Sequence, residues 1–242
     1  MRINRIFTPE PLSKGSTIEL DAGASLHLIK VLRLKPESPV ELFNGDGFNY
    51  RGKLLIQGKR AAAVQIESCQ LNGSESPLRT RLGIVISKGD RMDFVVQKST
   101  ELGIFDLFPL TSERCDIKLS NERGQKKREH WQKVAIAASE QCGRSVVPTI
   151  HDIQPLSAWI GEIEADTRLV MHHRASNTSL PQRAKSVALL IGPEGGLTEA
   201  EVSAAVGHGF GPFVLGPRVL RTETAPIAAL SILQTTFGDF TI

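Results

Sequence analysis

From Met1 to Gln70 the apolar residues recur mostly at every second position, in short runs separated by turn-forming residues. That alternation predicts strands in "RINRIF", "STIEL" and "RAAAVQIESCQ". It also predicts a hairpin in "PVELFNGDGFNYRGKLLIQ", where Asn44-Gly45-Asp46-Gly47 supplies the turn chemistry. One stretch breaks the alternation. In "ASLHLIKVLRL", Leu28, Val31 and Leu32 stand at three- and four-residue spacing, which predicts a helix. The sum is a small β-barrel module over residues 1–72. "LNGSESP", rich in Gly, Ser and Asn, follows as the linker.

Beyond the linker the period changes. "TRLGIVIS" is a continuous apolar run of strand length, and "DRMDFVVQKSTELG" is a helix with Met92, Val95, Val96 and Leu102 along one side and Gly103 as its stop. Strands and helices then alternate: "DLFPLT", the basic helix "QKKREHWQKVAIAASEQCG", "TRLVMHH", "VALLIG" with a helix behind it, "PFVLG", and a last helix ending near Phe237. This order predicts an α/β domain over residues 73–242, a mostly parallel sheet with helices on its faces.

Composition changes this picture little. Of 242 residues, 40% are hydrophobic and 23% charged, ordinary for a folded domain with a buried core. No apolar run is long enough to span a membrane, and "MRINRIFTPEPL" lacks the apolar segment of a secretory signal, so a cytoplasmic protein is expected. The three cysteines, Cys69, Cys115 and Cys142, have no C-x-x-C spacing, which argues against a disulfide framework or a zinc site. The charge is uneven. Residues 1–72 carry 10 Lys/Arg against 7 Asp/Glu and residues 73–242 carry 19 against 19, so the whole surplus of +3 sits in the front module.

Two loops carry the chemistry. "LIGPEGGLTEAEV" joins a buried strand to a helix whose start is marked by Thr198 and Glu201, a capping-box spacing. Ligands of open α/β sheets gather at the carboxyl ends of strands, and glycines there let a flat ligand approach the backbone. Gly192-Pro193-Glu194-Gly195-Gly196 is neither a P-loop nor a dinucleotide fingerprint, and Glu194 disfavours a phosphate. The second loop, in "FVLGPRVLRTETAPIAALSIL", again runs from strand to helix, with Thr222 or Thr224 as the expected cap.

"IGPEGGLTEAE" followed by "LGPRVLRTETAPIAAL" resembles the signature of the RsmE family, whose members methylate N3 of a uridine in 16S ribosomal RNA, within the SPOUT superfamily of knotted methyltransferases. "HLIKVLRL", "FNGDGFNYRGKL", "KGDRMDFVVQKSTELG", "SERC" and "EQCGRSVVP" extend the likeness over nearly the full chain. The resemblance implies a PUA-like RNA-binding domain in front, a trefoil-knotted domain behind, S-adenosylmethionine as methyl donor, and a homodimer acting on the assembled small ribosomal subunit. It places the cofactor against Leu169, Met171, His172, Ile191, Gly192, Pro193, Glu194, Gly195, Gly196, Leu215, Gly216, Val219, Leu220, Arg221, Thr222, Thr224 and Ala225.

Uracil N3 carries a proton that must leave before or during attack, so a base or an oxyanion contact is needed. Glu140, Glu194 and Glu223 are the candidate bases, and Arg144 and Arg221 the candidate oxyanion or phosphate contacts. The sequence does not choose among them; Glu140 is also spaced to pair with Arg144 across one helical turn. For RNA capture the family pattern points to Arg2, Arg5, Lys30, Arg33 and Arg51 in front and to Lys88, Arg91, Lys98 and Arg114 behind. His172 and His173 would face opposite ways on a strand, so no metal is expected. Two other functions fit less of the chain: a ribose 2′-O or other base methyltransferase of the same superfamily, and a nonenzymatic RNA-binding assembly factor. The front module disfavours the first, and retention of both loops disfavours the second.

Overall fold

The computed structural model describes residues 3–58, 60–115, 120–172, 178 and 180–241. They form two compact units. The first comprises Met1–Glu75 with Ser139–Val147, and the second Ser76–Ala138 with Pro148–Ile242.

In the first unit, β1 (Asn4–Phe7), β2 (Thr17–Glu19), β3 (Pro39–Phe43), β4 (Phe48–Gln57) and β5 (Ala61–Leu71) form one sheet in the order β1-β3-β4-β5-β2. β1 and β3 are parallel, and the other pairs are antiparallel. The hairpin read from residues 44–47 joins β3 to β4, where Asp46 accepts the Phe48 amide at 2.9 Å. Alternation gives the sheet one buried face. Ile6, Val40, Leu42, Leu54, Val64 and Ile66 meet Leu28 there. Each such side chain contributes about 1.5–3 kcal/mol on burial.

The helix expected over "ASLHLIKVLRL" is shorter and wider than its spacing predicts. α1 (Ala22–Leu26) starts at Asp21, which accepts the Ala24 amide, and passes into a π-helical turn, His27–Val31. Leu28 is buried, but Val31 and Leu32 are exposed, so only part of the apolar stripe packs.

Residues 139–147 are bound to this unit by polar groups. Arg144 is ion-paired to Glu75 at 2.7 Å, and Glu75 Oε1 also accepts the amides of Ser145 and Val146. Asn72 donates to the Gly143 carbonyl and to Ser145 Oγ.

The second unit contains β6 (Arg79–Val85), α2 (Arg91–Glu101), β7 (Asp106–Thr111), most of α3 (Asn121–Cys142), β8 (Thr149–Ile150), β9 (Gln154–Pro155), α4 (Leu156–Glu162), β10 (Thr167–Met171), β11 (Ser186–Ile191), α5 (Glu199–Gly207), β12 (Gly211–Phe213) and α6 (Thr224–Phe237). The sheet order is β12-β10-β11-β6-β7-β8, with β9 also on β7, and every recorded pairing is parallel. On one face Val85, Val170, Ala188 and Leu190 pack with Trp159 and Ile160 of α4, Ala205 of α5 and Phe210. Gly83 makes this possible: a Cβ there would lie 2.6 Å from the Trp159 ring. The alternate positions Leu82, Ile84, Val187, Leu189 and Ile191 are buried as well, which requires cover on the other face, and α2 and α6 pack on each other.

Candidate functional site

Parallel pairing brings the carboxyl ends of β10, β11 and β12 to one edge of the sheet. The segments leaving those ends enclose a cavity of about 460 Å³. That volume suits a nucleoside-sized ligand.

Of the residues assigned to the cofactor from sequence, Met171, His172, residues 191–196, Leu215, Gly216, residues 219–222 and Ala225 line the cavity. Leu169 does not. Its backbone pairs with Leu189 and Gly211, and its side chain is buried in the sheet. Thr224 is also outside the lining, exposed at the first position of α6 with its amide bonded to the Arg221 carbonyl.

Local chemistry shapes both loops. Behind the first, Thr198 Oγ1 accepts the Glu201 amide at 3.2 Å and Glu201 Oε2 accepts the Thr198 amide at 2.8 Å, the expected capping box. Gly196 and Gly216 have φ of +69° and +67°, a region in which a Cβ is strained. The second loop departs from expectation. Neither Thr222 nor Thr224 caps α6; Glu223 holds that position and makes no side-chain cap bond, while Thr222 is buried.

A second hollow, of about 820 Å³, adjoins the cavity. Ile86, Lys88, Gly89 and Asp90 wall it, and it shares Arg91, Arg114, Glu194 and Gly195 with the first. Three cations that the sequence grouped with RNA thus stand around this hollow, two of them also at the cavity. Arg114 donates to the Gly195 carbonyl at 2.9 Å. Arg91 Nη1 lies 2.5 Å from Glu194 Oε1, and its Nε lies 3.8 Å from Glu223 Oε2. That Glu223 oxygen is buried and has no hydrogen-bond partner among the described residues. The involvement of Arg91 and Arg114 in the cavity, like that of Glu199 and Phe213, left no local signal in the sequence, whereas Arg218, one of the two arginines of the second loop, stands in the lining with that loop.

The other candidates stand elsewhere. Glu140 and Arg144 belong to the first unit. They do not pair across the helical turn: Glu140 Oε1 accepts the Phe7 amide at 2.9 Å, and Arg144 is committed to Glu75. Burial raises the Glu140 carboxyl above the usual carboxylate range, against the opposing pull of the Phe7 amide, His27 and Arg5.

Arg5 is turned inward rather than toward a partner. It is ion-paired to Glu41 and donates to Asn49 Oδ1, the Arg144 carbonyl and Ser145 Oγ, leaving its side chain 10% exposed. Arg51 binds the other Glu41 oxygen but keeps more than half of its side chain in solvent. Lys30 and Arg33 are exposed, Arg33 with φ of +52°. Lys98 pairs with Glu101 along α2. Arg2 and His173 lie outside the described residues. Among the described residues no cluster of three or more His, Cys, Asp or Glu could hold a metal ion, and no helix is long and apolar enough to cross a membrane.

Residues 74–234 match the RNA methyltransferase domain family, and residues 20–67 match the RNA methyltransferase PUA domain family. The chain is 37% identical over 241 residues to the ribosomal RNA small subunit methyltransferase E of Buchnera aphidicola subsp. Schizaphis graminum, covering 98% of each chain. Its fold is similar to a Legionella pneumophila structure holding the bound cofactor S-adenosylmethionine, with a TM-score of 0.96, 40% identity, and coverage of 99% of this chain and 100% of that one. It is likewise similar to the ribosomal RNA small subunit methyltransferase E of Neisseria gonorrhoeae bound to S-adenosylmethionine, with a TM-score of 0.92, 37% identity, and the same coverage.

Proposed function

The chain belongs to the ribosomal RNA small subunit methyltransferase E family, and from that premise we propose that it methylates N3 of one uridine in 16S ribosomal RNA of the assembled small subunit. It is an S-adenosylmethionine-dependent ribosomal RNA methyltransferase. The observation that carries the proposal is the cavity at the strand ends, walled by both glycine-containing loops and opening beside a hollow edged with cations.

The residues present fit the cofactor. Gly195 and Gly196 leave space where side chains would stand: a Cβ on Gly195 meets nothing nearer than 3.7 Å, and one on Gly196 nothing within 4 Å. Glu223 offers to a hydroxyl or a cation a buried oxygen that has no hydrogen-bond partner among the described residues. When bound, S-adenosylmethionine supplies an electrophilic methyl carbon on a positively charged sulfur.

The uracil belongs in the second hollow in this reading, since Glu194, Gly195, Arg91 and Arg114 border both spaces. Glu194 is the carboxylate at that shared border, and in this reading it takes the N3 proton. Arg114 can face the carbonyl oxygens, where negative charge gathers as the proton leaves. Holding the ring nitrogen and the methyl carbon in line accounts for much of the acceleration. The front unit, with Lys30, Arg33 and Arg51 exposed, is the proposed RNA-holding module, and in the second unit Lys88 is a further proposed RNA contact. We also propose that the carboxyl-terminal region is knotted, that two chains associate, and that the enzyme works in the cytoplasm, as the family resemblance implies.

Mass spectrometry of 16S ribosomal RNA nucleosides from cells lacking the protein tests the assignment. Loss of 3-methyluridine, restored by the intact gene, is expected. Loss of a ribose-methylated nucleoside instead would replace it.

A further inference from the structure

Arg91 opens α2, Glu194 stands in the loop after β11, and Glu223 in the loop after β12. Although 103 positions separate Arg91 from Glu194, Arg91 Nη1 meets Glu194 Oε1 at 2.5 Å. A different nitrogen of the same guanidinium, Nε, faces Glu223 Oε2 at 3.8 Å. All three residues line the cavity. The Arg91 and Glu194 side chains are 40% exposed and that of Glu223 is 21% exposed.

This arrangement suits a phosphate contact poorly. The guanidinium already faces two carboxylates, whose charges offset its own and leave it little to offer a phosphate. It suits a tie well. The planar fork of arginine can serve two acceptors at once, whereas the single ammonium of lysine serves them less well. The buried Glu223 oxygen has no hydrogen bond among the described residues, and the nearby Arg91 charge offsets the cost of holding a carboxylate there.

We infer that Arg91 is a positioning residue that straps the two cofactor loops together, setting the shape of the S-adenosylmethionine cavity rather than binding RNA phosphate. The inference rests on the cofactor reading given above. It separates Arg91 from Lys88, with which the sequence grouped it, and makes cofactor affinity depend on a side chain from a third element of the fold.

The test is calorimetric titration of S-adenosylmethionine into the full chain without RNA, with Arg91→Met, Arg91→Lys, Glu194→Gln and the double variant Arg91→Met/Glu194→Gln. Arg91→Met should raise the Kd about fivefold, the scale of a half-exposed ion pair reinforced by a second carboxylate. Arg91→Lys should recover part of that loss. The double variant should be little worse than Arg91→Met alone, because both remove one tie. Affinity for 16S ribosomal RNA and its dependence on salt should stay within about twofold of the unsubstituted chain. Unchanged cofactor affinity in Arg91→Met, with weaker RNA binding and a salt slope shallower by about one, would make Arg91 a phosphate contact and overturn the strap. Additive losses in the double variant would also overturn it. Failure of the unsubstituted chain to bind S-adenosylmethionine would overturn the cofactor reading itself, and the strap with it.

Discussion

Thr198 and Glu201 exchange hydrogen bonds across the first turn of α5, each side chain accepting the other's backbone amide. Glu201 does more than close the box, since its second oxygen accepts the Glu113 amide at 2.8 Å. The start of α5 is therefore tied to the segment after β7 as well as to itself. Thr198→Ala should cost about 1 kcal/mol, the usual value for a lost threonine cap. Glu201→Ala should cost more, because it leaves the Glu113 amide without that acceptor in addition. Urea unfolding of the full chain measures both, and an equal or smaller loss for Glu201→Ala would contradict the tie.

Glu140 gives the first unit a pH dependence with a definite sign. Burial raises its folded carboxyl above the ordinary value of 4.5, the Phe7 amide, His27 and Arg5 only partly opposing it. Below that ordinary value both folded and unfolded chains hold the proton, and the group contributes no pH dependence. As pH rises past it, the unfolded chain loses the proton first, the folded chain binds more protons, and stability falls until the folded carboxyl also ionises. Glu140→Gln keeps an oxygen for the Phe7 amide and cannot ionise. Its stability relative to the parent should therefore rise as the pH climbs above that ordinary value of 4.5, until the folded carboxyl ionises as well. Unfolding midpoints across that range test it; a relative stability that falls instead would contradict the burial argument.

What could be read from the sequence was whatever depends on neighbours along the chain. The residues 44–47 hairpin, the Thr198–Glu201 box and the alternation of strands with helices all follow from local spacing, and the structure has each of them. α4 was not legible. Its seven residues are too few to establish a helical period, and Trp159 finds its place only through Gly83, on a strand far back in the chain. The inward turn of Arg5 was hidden for a similar reason. Arg5 stands opposite Glu41 through the parallel register of β1 and β3, and register is a property of two strands together. At the site, glycine and proline marked the loops, but nothing local indicated that Arg91 would reach both. The missed α6 cap shows the limit of propensity. Two threonines were available, yet burial of Thr222 left the position to Glu223.

In the proposed reading the space beside Gly195 belongs to S-adenosylmethionine. Among the described residues a Cβ there would meet Arg114 Cδ and Cβ alone, at 3.7 and 3.8 Å, so the fold leaves room for a side chain. Gly195→Val should therefore fold with an unchanged unfolding midpoint while filling the cavity. Calorimetric titration of S-adenosylmethionine into the full chain should give saturable binding for the parent and no measurable binding for the valine variant. Equal affinity in the two proteins would contradict the placement of the cofactor between these loops.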